Sequence, residues 1–290
     1  MRNFHVISMN ETGISSTLEA LKNQNNLENT HIWTIRKYAD KYLKAYPGSN
    51  IHLRMVNNLS EYDMMNFVKE FIISKQEPAM IINDDINQFI IGKTKYSDNK
   101  VVKTLDFNLI YDLLERASTI CDDTICLYTK NDLITSFNYN KDDMFTRFST
   151  PSGIQFMTGK PYKTKCKKII KDEGLEFSIN SWINKELVLK MNLIYAKFQS
   201  SVHQGYSKDT IKILGTVYNN SDTFNYNHRF KAYTSNALKV RNWLLNSTIY
   251  TSEELKVQSD KIKEYNKLIK EDKIFNEILS KVHNNKYNII

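Results

Sequence analysis

Residues 78–93, PAMIINDDINQFIIGK, set two short apolar runs on either side of the pair Asp84-Asp85. Such runs, bounded by turn formers, read as two strands of a hairpin turning at the aspartates. The pattern returns downstream. DTICLYTK (123–130) and LITSFNY (133–139) flank Asn131-Asp132, after an expected helix at 106–119. Upstream, 34–45 (TIRKYADKYLKA) reads as an amphipathic helix stopped by Pro47-Gly48, and Ser60 with Asp63 offers a capping box for a helix over 59–74. In the second half GIQFMTG (153–159), LEFSI (175–179), IKILGTVY (211–218) and NHRFKAYT (227–234) read as strands, and 235–245 as a helix. Thr251 and Glu254 form a second capping box that opens a long amphipathic helix over 252–283.

Strands and helices without strict βαβ alternation predict an α+β fold: antiparallel strands, several helices and a long C-terminal helix. No internal repeat and no linker rich in Pro or Gly occurs among 290 residues with 4 prolines and 8 glycines, so one compact unit over 1–290 is expected. The only natural subdivision is by charge, into a near-neutral to acidic half (1–145) and a basic half (146–290).

The formal charge is +8. Lysine outnumbers arginine 33 to 7, and 32 asparagines stand beside 8 alanines, a bias that AT-rich coding produces without any ligand. The asymmetry is harder to ascribe to coding. Residues 1–145 carry 16 basic and 19 acidic side chains, whereas 146–290 carry 24 and 13. A field of one sign over half a chain suits a polyanion, with a merely solvated basic face as the bland alternative. The densest stretch holds Arg147, Lys160, Lys163, Lys165, Lys167, Lys168 and Lys171 with no acid. Phe148, Phe156 and Tyr162 within it are candidate base-stacking residues, or core aromatics. Arg229, Lys231 and Tyr233 fall on one side of the expected strand at 227–233, where a guanidinium offers a phosphate two hydrogen bonds.

Several chemistries are excluded by inspection. Gly92-Lys93-Thr94 resembles the end of a phosphate loop, but Asn87 stands where the first glycine is needed. No dinucleotide fingerprint, HExxH helix or nucleophile elbow occurs, which disfavours nicotinamide enzymes, zincins and α/β-hydrolases. Three cysteines, Cys121, Cys126 and Cys166, exclude a disulfide scaffold and a four-cysteine zinc site. The six histidines include no pair at helical ligand spacing, so no metal site and no cofactor is expected from them. Asp84-Asp85, Asp122-Asp123 and Asp142-Asp143 can ligate magnesium, or can serve as turn residues through their own backbone hydrogen bonds. No apolar run reaches the length of a membrane span, and the opening residues lack a signal segment.

Glu11 in FHVISMNETG, His283 in LSKVHNN, the AT-biased composition and the basic single-unit size together resemble the plasmid-encoded yeast killer ribotoxins of the Pichia acaciae toxin and zymocin gamma-subunit type. The resemblance implies a metal-independent tRNA anticodon nuclease. Glu11 would act as base, His283 as acid and Arg229 as the phosphate-stabilising cation, leaving 2′,3′-cyclic phosphate and 5′-hydroxyl ends. It further implies RNA, specifically a tRNA anticodon stem-loop, as partner. A secreted toxin of this kind would act in the target-cell cytoplasm, with a carrier or immunity protein and an unpaired cysteine for a carrier disulfide. The competing expectation is a non-enzymatic viral or plasmid nucleic-acid-binding or scaffold protein.

Overall fold

A computed structural model describes residues 1–9, 12–54, 61–92, 102–130, 143–147, 154–166, 173–198 and 249–284. The fold is α+β, as the sequence pattern predicts, but its sheet is mixed rather than antiparallel throughout. Ten strands are found among the described residues: β1 (Phe4–Ile7), β2 (Thr30–Ile35), β3 (Asn50–Arg54), β4 (Ala79–Asn83), β5 (Ile86–Ile91), β6 (Val102–Thr104), β7 (Thr124–Lys130), β8 (Phe145–Arg147), β9 (Gln155–Met157) and β10 (Leu187–Phe198). They join in one sheet of order β3-β2-β1-β4-β9-β7-β10-β5-β6, with β8 beside β10. The first four are parallel to one another. The sheet draws on both halves of the chain, since β9 lies against β4 and β10 against β5.

The hairpin expected across Asp84-Asp85 is replaced by a crossing. β4 and β5 both form, but β4 pairs with β1 and β9 while β5 pairs with β10 and β6. The pairing explains why. β1 lies along one edge of β4 and β9 along the other, so no edge is left for β5, and residues 79–82 are buried on both faces. The partner segment of the other expected hairpin, 133–139, lies outside the described residues, as do 211–218, 227–234 and 235–245.

The helices are α1 (Ser16–Asn23), α2 (Ala39–Ala45), α3 (Glu61–Lys75), α4 (Phe107–Ile120), α5 (Glu173–Ile183), α6 (Ser252–Glu271) and α7 (Lys273–Asn284). The expected helix at 34–45 begins only at 39, because Thr30–Ile35 is a buried strand beside β1. LEFSI is helical in α5, not a strand: Phe177 with Ser181 and Ser178 with Trp182 are buried four residues apart, a pattern a five-residue window cannot distinguish from alternation. The Thr251–Glu254 capping box is formed by both bonds. The long C-terminal helix breaks at Asp272, whose carboxylate accepts from the Phe275 N–H at 2.7 Å and so caps α7, while Arg116 of α4 grips both its oxygens at 3.0 and 2.6 Å.

Alternation along β1 sorts the helices onto two faces. Phe4 meets Tyr111 of α4 edge-on at 5.4 Å, and Ser8, on the same face, meets Tyr42 of α2. His5, on the other face, meets Phe71 of α3 at 5.7 Å. α2 and α4 therefore cover one side of the parallel strands and α3 the other. α6 docks through Asn266, which clamps β8 by accepting from the Phe145 N–H at 2.8 Å and donating to its carbonyl at 3.1 Å.

Gly159 holds the turn leaving β9 against the turn entering β4. Its φ is +75°, and a Cβ there would stand 2.6 Å from the Glu77 carbonyl carbon, which is backbone and cannot rotate away. Gly159→Ala is expected to cost about 2–3 kcal/mol through left-handed strain and this clash, read as a lower urea midpoint at unchanged m-value. An unchanged midpoint would show that the two turns separate freely.

Candidate functional site

In an open sheet of order 3-2-1-4, the connection leaving β1 runs toward β2 while β4 lies on the other side, so the loops at the carboxyl ends of β1 and β4 diverge. The crevice between them is where ligands of such sheets are held. Here it is bounded by Ser8 and Met9 after β1 and by Asp84 and Asp85 after β4.

Register places Ile7 between Trp33 of β2 and Asn83 of β4, so the next row is Thr34, Ser8, Asp84. In that row the Ser8 hydroxyl donates to the Asp84 carboxylate at 2.5 Å and lies 2.5 Å from the Tyr42 hydroxyl. The start of α1 is tied to the same crossing. Ser15 caps α1 by accepting from the Leu18 N–H at 3.1 Å and donates to the Asp84 carbonyl at 2.7 Å; Thr17 donates to the Asn83 carbonyl at 2.7 Å. The Ser15 N–H donates in turn to the Tyr46 hydroxyl at 3.2 Å. Gly13 (φ +71°) lays the β1 exit on α2, where a Cβ would stand 2.7 Å from Lys41 Cβ. The crevice wall is therefore built from β1, β4, α1 and α2 through short polar contacts.

Burial raises the pKa of the Asp84 carboxyl above the ordinary carboxylate value; Ser8 opposes that rise and the neighbouring Asp85 charge adds to it. On the β2 and β3 side the edge is cationic. Arg36, Lys37 and Lys41 are exposed, and the Arg54 guanidinium lies 3.7 Å over the Phe67 ring. At the carboxyl ends of the parallel strands, Thr34 Oγ1 (β2), Arg54 Nε (β3) and Asn83 Oδ1 (β4) are buried with no hydrogen-bond partner among the described residues, as are polar atoms elsewhere in the fold. Buried polar groups left unmet call for water or ligand. Carboxylates at the β4 exit, with cations after β2, on α2 and at the end of β3, suit a phosphate-bearing ligand accompanied by a divalent cation. Asp84 and Asp85 are hard oxygen donors, and magnesium commonly takes one or two carboxylates with the remaining positions filled by phosphates and water. Among the described residues no group of three or more His, Cys, Asp or Glu is placed to hold a metal ion.

Of the residues singled out for RNA chemistry, the described part of the structure contains only some. Glu11, Arg229, Lys167, Lys168, Lys171, Lys231, Tyr233 and Phe148 lie outside the described residues. His283 falls in the last turn of α7. Arg147 is turned inward: its guanidinium lies 4.0 Å from the Trp182 ring and donates to the Tyr250 hydroxyl at 2.6 Å, and burial lowers its pKa. Phe156 is fully buried, and Tyr162 packs edge-on against Phe177. Lys163 and Lys165 are exposed, on a stretch pinned by Glu186, which accepts from the Lys163 and Thr164 N–H groups at 2.5 and 2.9 Å. Lys160 is half-buried. Asp122 and Asp123 are engaged by Tyr265 and, for Asp123, Lys261 of α6, which makes that pair a docking point. Cys121 and Cys126 are buried.

Ser8, Thr34, Tyr42 and Asn83 were not legible as site residues. The available signal was FHVI followed by Ser8 and, five residues on, Gly13, an apolar run ending in a turn. Asp84 and Asp85 were legible, but as a hairpin turn.

No family model matches the chain, and no curated protein matches it in sequence. Among solved structures it is similar to a protein described as a nucleotide-diphospho-sugar transferase from Desulfovibrio desulfuricans, at 11% identity and a TM-score of 0.38 over 91% of this chain and 99% of that one. It is also similar to a mannose-1-phosphate geranyltransferase from Thermus thermophilus, at 9% identity and a TM-score of 0.31 over 86% of this chain and 65% of that one. These findings correct the ribotoxin resemblance. Transferases, not killer toxins, are the structural neighbours, and with that resemblance go the tRNA nuclease activity, the RNA, carrier and immunity partners, the secreted toxin role and the nucleic-acid scaffold alternative. Among the described residues no helix is long and apolar enough to cross a membrane.

Proposed function

We propose that the chain binds a nucleoside diphosphate, in the form of a nucleotide-activated sugar, in the crevice between β1 and β4, and acts as a transferase on it. The observation that carries the reading is the parallel order β3-β2-β1-β4, which sets Asp84 and Asp85 at the strand-order reversal beside the β1 exit. Arg36, Lys37 and Lys41 supply positive charge for phosphates on the β2 side. A divalent cation would be held by Asp84 and Asp85 together with the ligand's phosphates, where its chemistry is to neutralise phosphate charge. Ser8, Ser15 and Thr17 fix the backbone and carboxylate of the β4 exit, so the ligand meets donors already ordered.

The test is calorimetric titration with ADP, CDP, GDP and UDP and their sugar conjugates, each with Mn²⁺ or with EDTA. One base is expected to bind at about micromolar Kd with Mn²⁺, weaken strongly in EDTA, and show slow release of sugar from its conjugate. Absence of heat and of any thermal shift with all of them at about a thousandfold excess over micromolar would overturn the reading.

A further inference from the structure

Tyr42 and Ser8 are both fully buried, and their hydroxyls form a chain that ends on Asp84. The polarity of the chain follows from counting protons. The carboxylate can only accept, and Ser8 owns one proton, which it gives to Asp84 Oδ2 at 2.5 Å. The Ser8 oxygen is then free only to accept, so the Tyr42 hydroxyl, also 2.5 Å away, donates to it. A hydroxyl that already receives a proton is a stronger donor to the next acceptor, more so in a site of low dielectric. Tyr46, the residue after α2, makes a separate contact: its hydroxyl accepts from the Ser15 N–H.

We propose that Tyr42 and Ser8 are positioning residues for Asp84, a hydroxyl chain from α2 that commits one carboxylate oxygen to the protein and so fixes the direction in which the other meets the phosphate-bound cation. The inference rests on the crevice reading of Asp84 and adds to it two residues that touch neither ligand nor cation. The chain also ties the carboxylate to α2, the helix that carries Lys41, so the acidic and cationic sides of the crevice are set by one element.

Two readouts separate this inference from the crevice reading. The first needs no ligand: in the unliganded protein the Tyr42 hydroxyl proton should give a slowly exchanging, downfield NMR resonance. That resonance should be lost in Ser8→Ala and should move in Asp84→Asn. Its absence in the native chain, or its survival in Ser8→Ala, overturns the chain whatever the ligand proves to be. The second readout is the affinity for Mn²⁺ with each of the four nucleoside diphosphates. Tyr42→Phe, which keeps the ring, is expected to weaken Mn²⁺-dependent binding about tenfold, and Ser8→Ala by more, while Tyr111→Phe in α4, whose hydroxyl donates to the Pro78 carbonyl at 3.1 Å, changes it less than about twofold. Equal losses in Tyr42→Phe and Tyr111→Phe would make the effect one of packing against that face of the sheet and overturn the proposal. Should the native chain bind no diphosphate, the crevice reading fails, and the NMR arm alone decides whether Tyr42 and Ser8 orient Asp84.

Discussion

Asp84→Asn is expected to separate binding from stability, losing about 100-fold in Mn²⁺-dependent diphosphate affinity while gaining thermal stability. The two effects share one cause. Burial holds the Asp84 carboxyl above its ordinary pKa, so the folded state binds a proton more readily than the unfolded one. Stability on this account falls as pH rises from the unfolded value of 3.8 through the raised folded value, and at neutral pH the native chain carries a buried negative charge. Asparagine removes that charge and keeps an oxygen to accept from Ser8. A gain of about 1 kcal/mol would raise Tm by about 2 °C in a chain of this size. Scanning calorimetry and titration on the same sample check both halves. Unchanged affinity would remove Asp84 from the crevice, and a Tm lowered by several degrees would make its carboxylate a structural acceptor. Gain of stability with loss of binding is the pattern expected where a charge is kept for a ligand rather than for the fold.

What the sequence allowed to be read was local, and what it hid was pairing. The capping box at Thr251, the helix begun by Asp106, the strands at 79–83 and 86–91 and the α+β class all follow from chemistry within a few residues. The partner of a strand is not local. Asp84-Asp85 carries the same turn chemistry whether the chain doubles back or crosses to another part of the sheet, and only the pairing of β4 with β1 and β9 decides. That decision turned a hairpin tip into a crevice wall. β10, at twelve residues, passed unread because Leu187–Phe198 alternates imperfectly where it bends between β7 and β5. Charge along the chain is not local either. In the run from Arg147 to Lys171, Arg147 stacks inward on Trp182, while Glu186, more than twenty residues on, accepts from the Lys163 and Thr164 backbone N–H groups and leaves the Lys163 and Lys165 side chains exposed.

Acidification from pH 7.5 to 4.5 is expected to destabilise the parallel half through three histidines that no motif marks. His5, His31 and His52 lie across β1, β2 and β3, with ring centroids 4.6 and 5.0 Å apart, under Phe71 of α3 and beside Trp33. His5 Nδ1 accepts from the Trp33 indole N–H at 2.9 Å, so its own proton sits on Nε2, which is buried with no partner among the described residues. His31 Nδ1 and His52 Nε2 are 2.7 Å apart and share a single proton; charging both rings would set two N–H groups against each other. The charged groups acting on the stack are Lys75 from α3 and Arg54 from β3, both cationic. Burial is the first cause that lowers the pKa of all three rings; His31 and His52 add to it for His5, His52 and then Lys75 for His31, which is brought to about 4, and Arg54 for His52. Between the unfolded value of 6.5 and the lowered folded values the unfolded chain binds more protons, so stability is fully present above about pH 6.5 and is lost as pH falls toward 4. A fall in Tm on the order of 5 °C or more between pH 7.5 and 4.5 is expected, larger than a single exposed histidine could give. His52→Gln keeps a hydrogen-bonding group beside His31 but cannot titrate, and should flatten the slope by about a third if the three rings share the load. A profile of equal steepness in that variant, or a Tm that rises on acidification, would show that the stack is not what the protons reach.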